Sequence, residues 1–471
     1  MKKKIILIIS FISIITILVS TFFIINSKTE ESLFYDDKII SNSFEYEQPI
    51  SNESISDNYF YSDSYFKDSS NLENPHLRTF AYALTLSFNP TNKKEKVNYN
   101  IDKIFNELNF GDTMYYDLDS FNKDTIGVAI AHKELNDKYE LVSVVIRGSG
   151  YKDEWISNLD LGKSGNAKGF DDASKIVLSR LKEYISKNNI ENYKLLVSGY
   201  SRAAAVASLV GVHVNNNLEE YNMDKNNLFV YSFESPKYSE SEKKYDNIHN
   251  VINKNDIVTY VYPSSWGLNH SGVDEDITSE KSTIMGKYLN LFSNEKIEDL
   301  EEVDKQQFIK SFINQFKSSR EKYYEAQESI IDLYVFTKSK TNSELTKIID
   351  FFKSIKFDSN IEMLLTVSNL INQNDEMKIK NTYDKLMSSY DKNYSNISSV
   401  LKREEYDKLK EDIYNVYLFL QPFIKDEYNA SDKFYHILTF AFNIEDIFKE
   451  HYFSVNFEQI KNKDNYYKKE S

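Results

Sequence analysis

The chain has 471 residues, enough for one large domain with insertions or for two domains, and a formal net charge of −15. That acidity excludes a protein whose affinity rests on neutralising nucleic-acid phosphates, because there is no cationic surplus to release counterions. The absence of cysteine excludes disulfides, cysteine-ligated zinc and a thiol nucleophile.

Taken in chain order, the sequence opens with Lys2-Lys3-Lys4 and an apolar run from Ile5 to Ile25, closed by Asn26. Residues 1–27 read as a signal anchor or a signal peptide. The run is long enough to span a bilayer and lacks a small-x-small cleavage site, and the lysines on the inner side would leave the rest of the chain outside the cytoplasm. Residues 28–74, rich in Ser, Asn, Asp, Glu and Tyr without a sustained period, read as a polar tether. Its Tyr59, Phe60, Tyr61, Tyr65 and Phe66 are able to dock on the folded body. Residues 75–278 read as an α/β core. A helix is predicted at 77–88, strands at 125–131 and 141–146, and a helix on which Ala173, Ile176, Val177, Leu181, Tyr184 and Ile185 recur. A strand at 194–197, a helix at 203–210 and strands at 228–233 and 251–253 follow. Strands alternating with helices imply a mostly parallel sheet covered on both faces.

Between 279 and 431 the strand signals stop. Phe308, Phe312 and Phe316 lie four apart, as do Leu345, Ile349 and Lys353 on a mixed face. Leu364, Leu365, Leu370 and Ile371 form another amphipathic stretch, and Tyr414 to Phe419 a further one. This reads as an all-helical insertion or cap, with 432–471 returning to the core. Asp274-Glu275-Asp276 lacks calcium-loop spacing and reads as a solvated turn. No metal constellation and no phosphate-binding glycine pattern occurs, so neither metal nor cofactor is expected.

The chemistry concentrates in Gly199-Tyr200-Ser201-Arg202-Ala203, set between the strand-like Lys194 to Val197 and the helix-like Ala203 to Val210. A strand, a tight turn carrying Ser between small residues, then a helix is the context that gives a G-x-S-x-G pattern meaning. Small residues let the chain turn sharply, and the helix N-terminus offers N–H groups to a developing oxyanion. A serine nucleophile needs a base and an acid that orients it. In the α/β-hydrolase order of Ser, acid, His, the acid belongs after a later strand, where Asp256 stands in Val251 to Val258. A turn aspartate is the plain alternative for Asp256. Among seven histidines, His76, His132 and His249 suit surface positions and His213 lies too far along the helix, which leaves His270, His436 and His451.

Here the chain resembles the class 3 lipase family. Val145-Ile146-Arg147-Gly148-Ser149 and Trp155-Ile156-Ser157-Asn158-Leu159 are similar to its strand, R-G-S/T turn and W-x-x-N/D-L. Lys168-Gly169-Phe170 resembles its H-x-G-F with the His lost, Tyr231 to Pro236 its Y-T-F-G-x-P, and Asn255 to Pro263 the N-D-x-V-P segment of the catalytic acid. Ala203-Ala204 replace the usual Gly-Gly and Glu234 replaces a Gly, departures that bear on packing near the elbow more than on chemistry. The resemblance implies an α/β-hydrolase fold and serine-dependent hydrolysis of carboxylic esters, with acylglycerols or other lipid esters as substrates. It implies that Ser149 and Arg202 supply the oxyanion-hole N–H groups. It favours His451 in Glu450 to Ser454 as the base, because the family's histidine comes in a C-terminal segment of H-x-x-x-Y/F type; His270 and His436 remain open. An acyltransferase or phospholipase of the same fold, or a catalytically silent surface interaction protein, are the rival readings. The partners expected are a lipid or ester substrate and the membrane through the N-terminal segment, in a membrane-anchored or secreted protein.

Overall fold

The computed structural model describes residues 39–47, 54–88, 94–116, 126–136, 138–148, 155–254, 256–262, 264–278, 320–354, 362, 365–366, 369–370, 373–425, 451 and 453–463. The apolar stretch at 1–27, the Phe308–Phe312–Phe316 series and His436 lie outside these residues. Among the described residues, no helix is long and apolar enough to cross a membrane.

Seven strands lie side by side in chain order: β3 (Gly111–Tyr116), β4 (Val128–Asn136), β5 (Tyr139–Ile146), β6 (Tyr193–Tyr200), β7 (Leu228–Phe233), β8 (Ile248–Ile252) and β9 (Val273–Asp276). The β3–β4 and β4–β5 pairs are antiparallel, and every pair from β5 to β9 is parallel. The continuous apolar runs explain the parallel part. β6 and β7 are buried at every position, as strands covered on both faces must be. The pleat sends Val144, Val197 and Val230, which pair in register, to one face, and Val145, Leu196 and Phe229 to the other.

The first face is covered by α4 (Lys168–Asn188) and α5 (Arg202–Asn216). The expected α4 face is present in Ala173, Val177, Leu181 and Tyr184, whereas Ile176 is exposed. The short α3 (Trp155–Leu159) lies so close to the start of α4 that a Cβ on Gly169 would sit 2.0 Å from the Ser157 carbonyl oxygen. Gly169 is therefore fixed by a close backbone approach.

The second face is covered by α1 (Pro75–Ser87), α2 (Lys94–Glu107), α10 (Phe453–Lys463) and a two-stranded antiparallel hairpin, β1 (Ile40–Glu47) with β2 (Ser54–Tyr61). The hairpin corrects the tether reading from Ile40 onward. Phe44, Tyr46, Tyr59, Tyr61, Tyr65 and Phe66 are all buried in the core. Each buried aromatic side chain contributes about 2 kcal/mol, which holds an otherwise polar segment in order. Polar anchors add to this: Tyr59 donates to Glu107 (2.7 Å), Lys133 to Asp63 (2.8 Å) and Lys461 to Asp57 (2.6 Å).

The described part of the insertion is helical, in α6 (Arg320–Ser339), α7 (Asn342–Lys353), α8 (Glu376–Asp391) and α9 (Arg403–Lys425). It has a core of its own, built from Ile348, Phe351, Tyr383, Met387, Tyr390 and Tyr406 among others. Ile348 and Phe351 are the buried positions of α7, while Ile349 is half exposed, so the inward face is one residue away from the expected Leu345–Ile349–Lys353 stripe. The insertion joins the main core through Tyr323, Ala326 and Phe419, packed with Trp266 and Tyr262. Arg320 and Gln327 bind the 159–166 segment beneath it.

Candidate active site

The chain leaves β6 and enters α5 through Ser201, whose φ of 60° and ψ of −126° are rare for a side-chain-bearing residue. Such a conformation costs about 1–3 kcal/mol and persists only where neighbours hold it. They do so here: Ser201 N–H donates to the Phe233 carbonyl (2.8 Å), and Ala204 N–H donates to the Ser201 carbonyl (2.9 Å). The return of α5 over the strand leaves no room at Gly199, where a Cβ would lie 2.3 Å from the Ala203 carbonyl oxygen. Ala203 itself is fully buried in the main core.

Arg202 is the first residue of α5, where backbone N–H groups have no helical partner. Its side chain turns away into the protein, with Nε donating to Ser157 Oγ (3.0 Å). This ties the helix N-terminus to α3. Ser149 lies outside the described residues.

Asp256 follows β8, as strand–acid logic requires, and is completely buried. Its Oδ1 accepts from Val258 N–H (2.9 Å) and its carbonyl from the Thr259 hydroxyl (2.8 Å), so it caps the short turn Ile257–Tyr260. The capping role anticipated as the plain alternative is real. It leaves Oδ2, which accepts from His451 Nδ1. His451 is thus brought to the acid across a separation of 195 residues. Its ring lies against Tyr200, with centroids 4.8 Å apart, and the Tyr200 hydroxyl donates to the His451 carbonyl. Since Tyr200 directly precedes Ser201, the elbow, the histidine and the acid form one connected group.

The structure does not bring His270 to Asp256. His270 is buried, with Nε2 at 3.0 Å from the Ser235 carbonyl and Nδ1 facing Asp274 at 3.7 Å. It is a satisfied core histidine. His249, expected at the surface, is also buried: Nδ1 lies 2.7 Å from Glu275 Oε1 and Nε2 lies 2.8 Å from the Ser70 carbonyl. Both partners only accept, so both ring nitrogens donate and the ring is a cation. Its pKa stands above 6.5 although burial opposes the charge, because the Glu275 carboxylate outweighs it. The Asp274–Asp276 run is accordingly the edge strand β9, and Glu275 is buried between Arg78 and His249. Two cations make the inward carboxylate tolerable, which a reading of the run alone does not reveal.

Four polar residues around the site, Glu234, Asn253, Asn456 and Tyr200, are assigned no role by motif reasoning. Glu234 directly follows β7 with φ of 52°, a left-handed backbone that favours glycine. Its two carboxylate oxygens accept the Asn253 N–H at 3.0 Å each. Asn253 Nδ2 donates to Asn456 Oδ1 (3.1 Å), and Asn456 Nδ2 reaches the Tyr200 hydroxyl (3.4 Å). Burial, with Tyr82, Asp256 and Glu234 nearby, pushes the Tyr200 phenol well above its ordinary pKa, so it stays a neutral donor. Nothing local distinguishes Asn253 or Asn456 from other asparagines; Tyr200, inside the pentapeptide, and Glu234, standing where the resembled segment has Gly, carried a signal. Among the described residues no group of three or more His, Asp or Glu side chains is placed to hold a metal ion.

Residues 143–266, from β5 through the turn after Asp256, match the family model for lipase (class 3). That segment is similar to class 3 lipases, and it spans much of the parallel sheet together with Ser201 and Asp256. Lipid ester hydrolysis is the broad activity that this likeness carries. Similar solved structures include Rhizomucor miehei triacylglyceride lipase, at 19% identity over 44% of this chain and 82% of that one with a TM-score of 0.33. Lipase II from Rhizopus niveus matches at 18% over 46% and 81% (TM-score 0.31), and the nonglycosylated LIP2 lipase of Yarrowia lipolytica at 14% over 44% and 79% (TM-score 0.31). No curated protein sequence matches the chain.

Proposed function

We propose that this protein hydrolyses carboxylic esters of lipids, acylglycerols among them, through an acyl-enzyme on Ser201. The observation that carries the reading is the Asp256–His451 hydrogen bond formed beside the strained Ser201 turn. With Nδ1 engaged by Asp256, His451 Nε2 is the nitrogen that takes the Ser201 proton as Oγ attacks the ester carbonyl carbon. The oxyanion is stabilised by backbone N–H groups of Arg202, at the α5 N-terminus, and of Ser149. Collapse expels the alcohol, which receives the proton from His451. Water, deprotonated by the same nitrogen, then attacks the acyl carbon and frees Ser201. The helical insertion caps this machinery, and the apolar segment at 1–27 holds it at, or exports it across, a membrane.

The test is labelling with a fluorophosphonate, followed by turnover of p-nitrophenyl esters of rising chain length. Labelling is expected to vanish in Ser201→Ala. Asp256→Asn is expected to fold, because its remaining oxygen still caps Val258, while kcat falls about 10³–10⁴-fold through misorientation of the histidine. Ser201-independent labelling, or full turnover by Asp256→Asn, would sink the proposal, as would loss of turnover in His270→Ala but not in His451→Ala.

A further inference from the structure

We infer that Tyr200 and Asn456 are positioning residues for His451, acting through its backbone carbonyl and the face of its ring. The inference rests on the reading of His451 as the base. Contacts of different kinds hold His451. Asp256 takes Nδ1, the Tyr200 ring covers one face, and the Tyr200 hydroxyl donates to the main-chain carbonyl. A hydrogen bond to a side chain leaves the imidazole free to rock about the Cα–Cβ axis. Anchoring the carbonyl as well fixes the Cα from which the ring swings.

The Tyr200 hydroxyl is itself aimed by a buried chain. Glu234 at the end of β7 holds the Asn253 N–H with both oxygens, Asn253 holds Asn456, and Asn456 on α10 donates to the Tyr200 oxygen. Because a carbonyl only accepts, the hydroxyl donates its proton to His451. Asn253 and Asn456 are fully buried and Tyr200 nearly so, so each bond is made away from competing water. The chain also joins the ends of β6, β7 and β8 to the helix that follows His451. Because Tyr200 is the last residue of β6, one side chain references the base to the strand end that carries the nucleophile. A phenylalanine there would fill the space equally well; the hydroxyl is what the positioning uses.

The experiment compares Tyr200→Phe, Asn456→Leu and the double variant with the full-length protein, using steady-state hydrolysis of a p-nitrophenyl ester and thermal melting. Tyr200→Phe is expected to lower kcat about tenfold with KM within about twofold, since substrate contacts are untouched. Asn456→Leu is expected to lower kcat by about threefold, one bond further from the base. The double variant is expected to match Tyr200→Phe alone, because both act through one hydroxyl. Wild-type kcat in Tyr200→Phe, a rise in KM at constant kcat, or additive losses in the double variant would each overturn the inference. Should Tyr200→Phe not fold, Asn456→Leu at wild-type kcat overturns it. His451→Ala runs alongside: retained turnover there defeats the triad reading itself, whereas lost turnover with an unaffected Tyr200→Phe defeats only the positioning role.

Discussion

Replacing Gly199 by alanine tests whether close packing, rather than backbone freedom, dictates the first small residue of the elbow. A Cβ at this position would lie 2.3 Å from the Ala203 carbonyl oxygen and 2.5 Å from its carbonyl carbon, where contacts under 3.0 Å essentially never occur. The first turn of α5 must therefore retreat by at least 0.7 Å, the difference between 3.0 and 2.3 Å. Forcing a methyl group into a packed core costs about 1–3 kcal/mol, and the upper half of that range applies because the obstructing atoms are backbone. The same retreat moves the Arg202 N–H relative to Ser201. A displacement approaching 1 Å costs roughly 100-fold in rate. Gly199→Ala is thus expected to melt several degrees lower and to react with a fluorophosphonate about 100-fold more slowly. Adding Ala203→Gly is expected to rescue neither property, since it removes a Cβ 3.1 Å away and leaves the carbonyl in place. Labelling of Gly199→Ala at the wild-type rate, or full rescue by the second substitution, would refute the reasoning.

Two further outcomes follow from buried charge. Arg320 donates to the carbonyls of Leu161 (2.7 Å), Gly165 (2.9 Å) and Gly162 (3.1 Å) and to Glu240 (2.6 Å), so Arg320→Ala is expected to cost about 3 kcal/mol. Limited proteolysis should then cut α6 in the variant under conditions that spare the parent; equal resistance would show that the insertion is held by apolar contacts alone. His249 has its pKa raised above 6.5, so its contribution is complete below that pH and is lost as pH rises through the higher folded value. Glu275, lowered from 4.5 against the pull of burial by His249 and Arg78, contributes fully above 4.5 and loses its contribution as pH falls through the lower folded value. The pair therefore stabilises most between 4.5 and 6.5. Melting temperature is expected to fall from pH 6 to 9 more steeply in the parent than in His249→Gln, and parallel curves would rule the linkage out.

How much was legible in the sequence depends on the range of each signal. The parallel strands announced themselves because a strand buried on both faces must be apolar throughout, and Leu228 to Phe233 is nothing else. The turn settings of Ser201 and Asp256 were readable because strand ends and turn chemistry are local. The β1–β2 hairpin was not, although Phe44 and Tyr46 show a period of two, because only a few positions of a polar segment face inward. Glu275 and His249 were misplaced for a related reason: each is an improbable buried residue alone, and each becomes probable only beside the other and Arg78. Family resemblance, not local pattern, favoured His451 over His270, and the hydrogen bonds beside its contact with Asp256 run through Tyr200, Asn253 and Asn456, drawn from three distant segments. A nucleophile elbow can be encoded in five consecutive residues because its strain is resolved within the turn. A histidine that meets its carboxylate across 195 residues cannot, since nothing within its own segment fixes that contact. The residues that fix that contact belong to the partner elements, so the proposed role of His451 as base is tested at its polar neighbours as much as in its own segment.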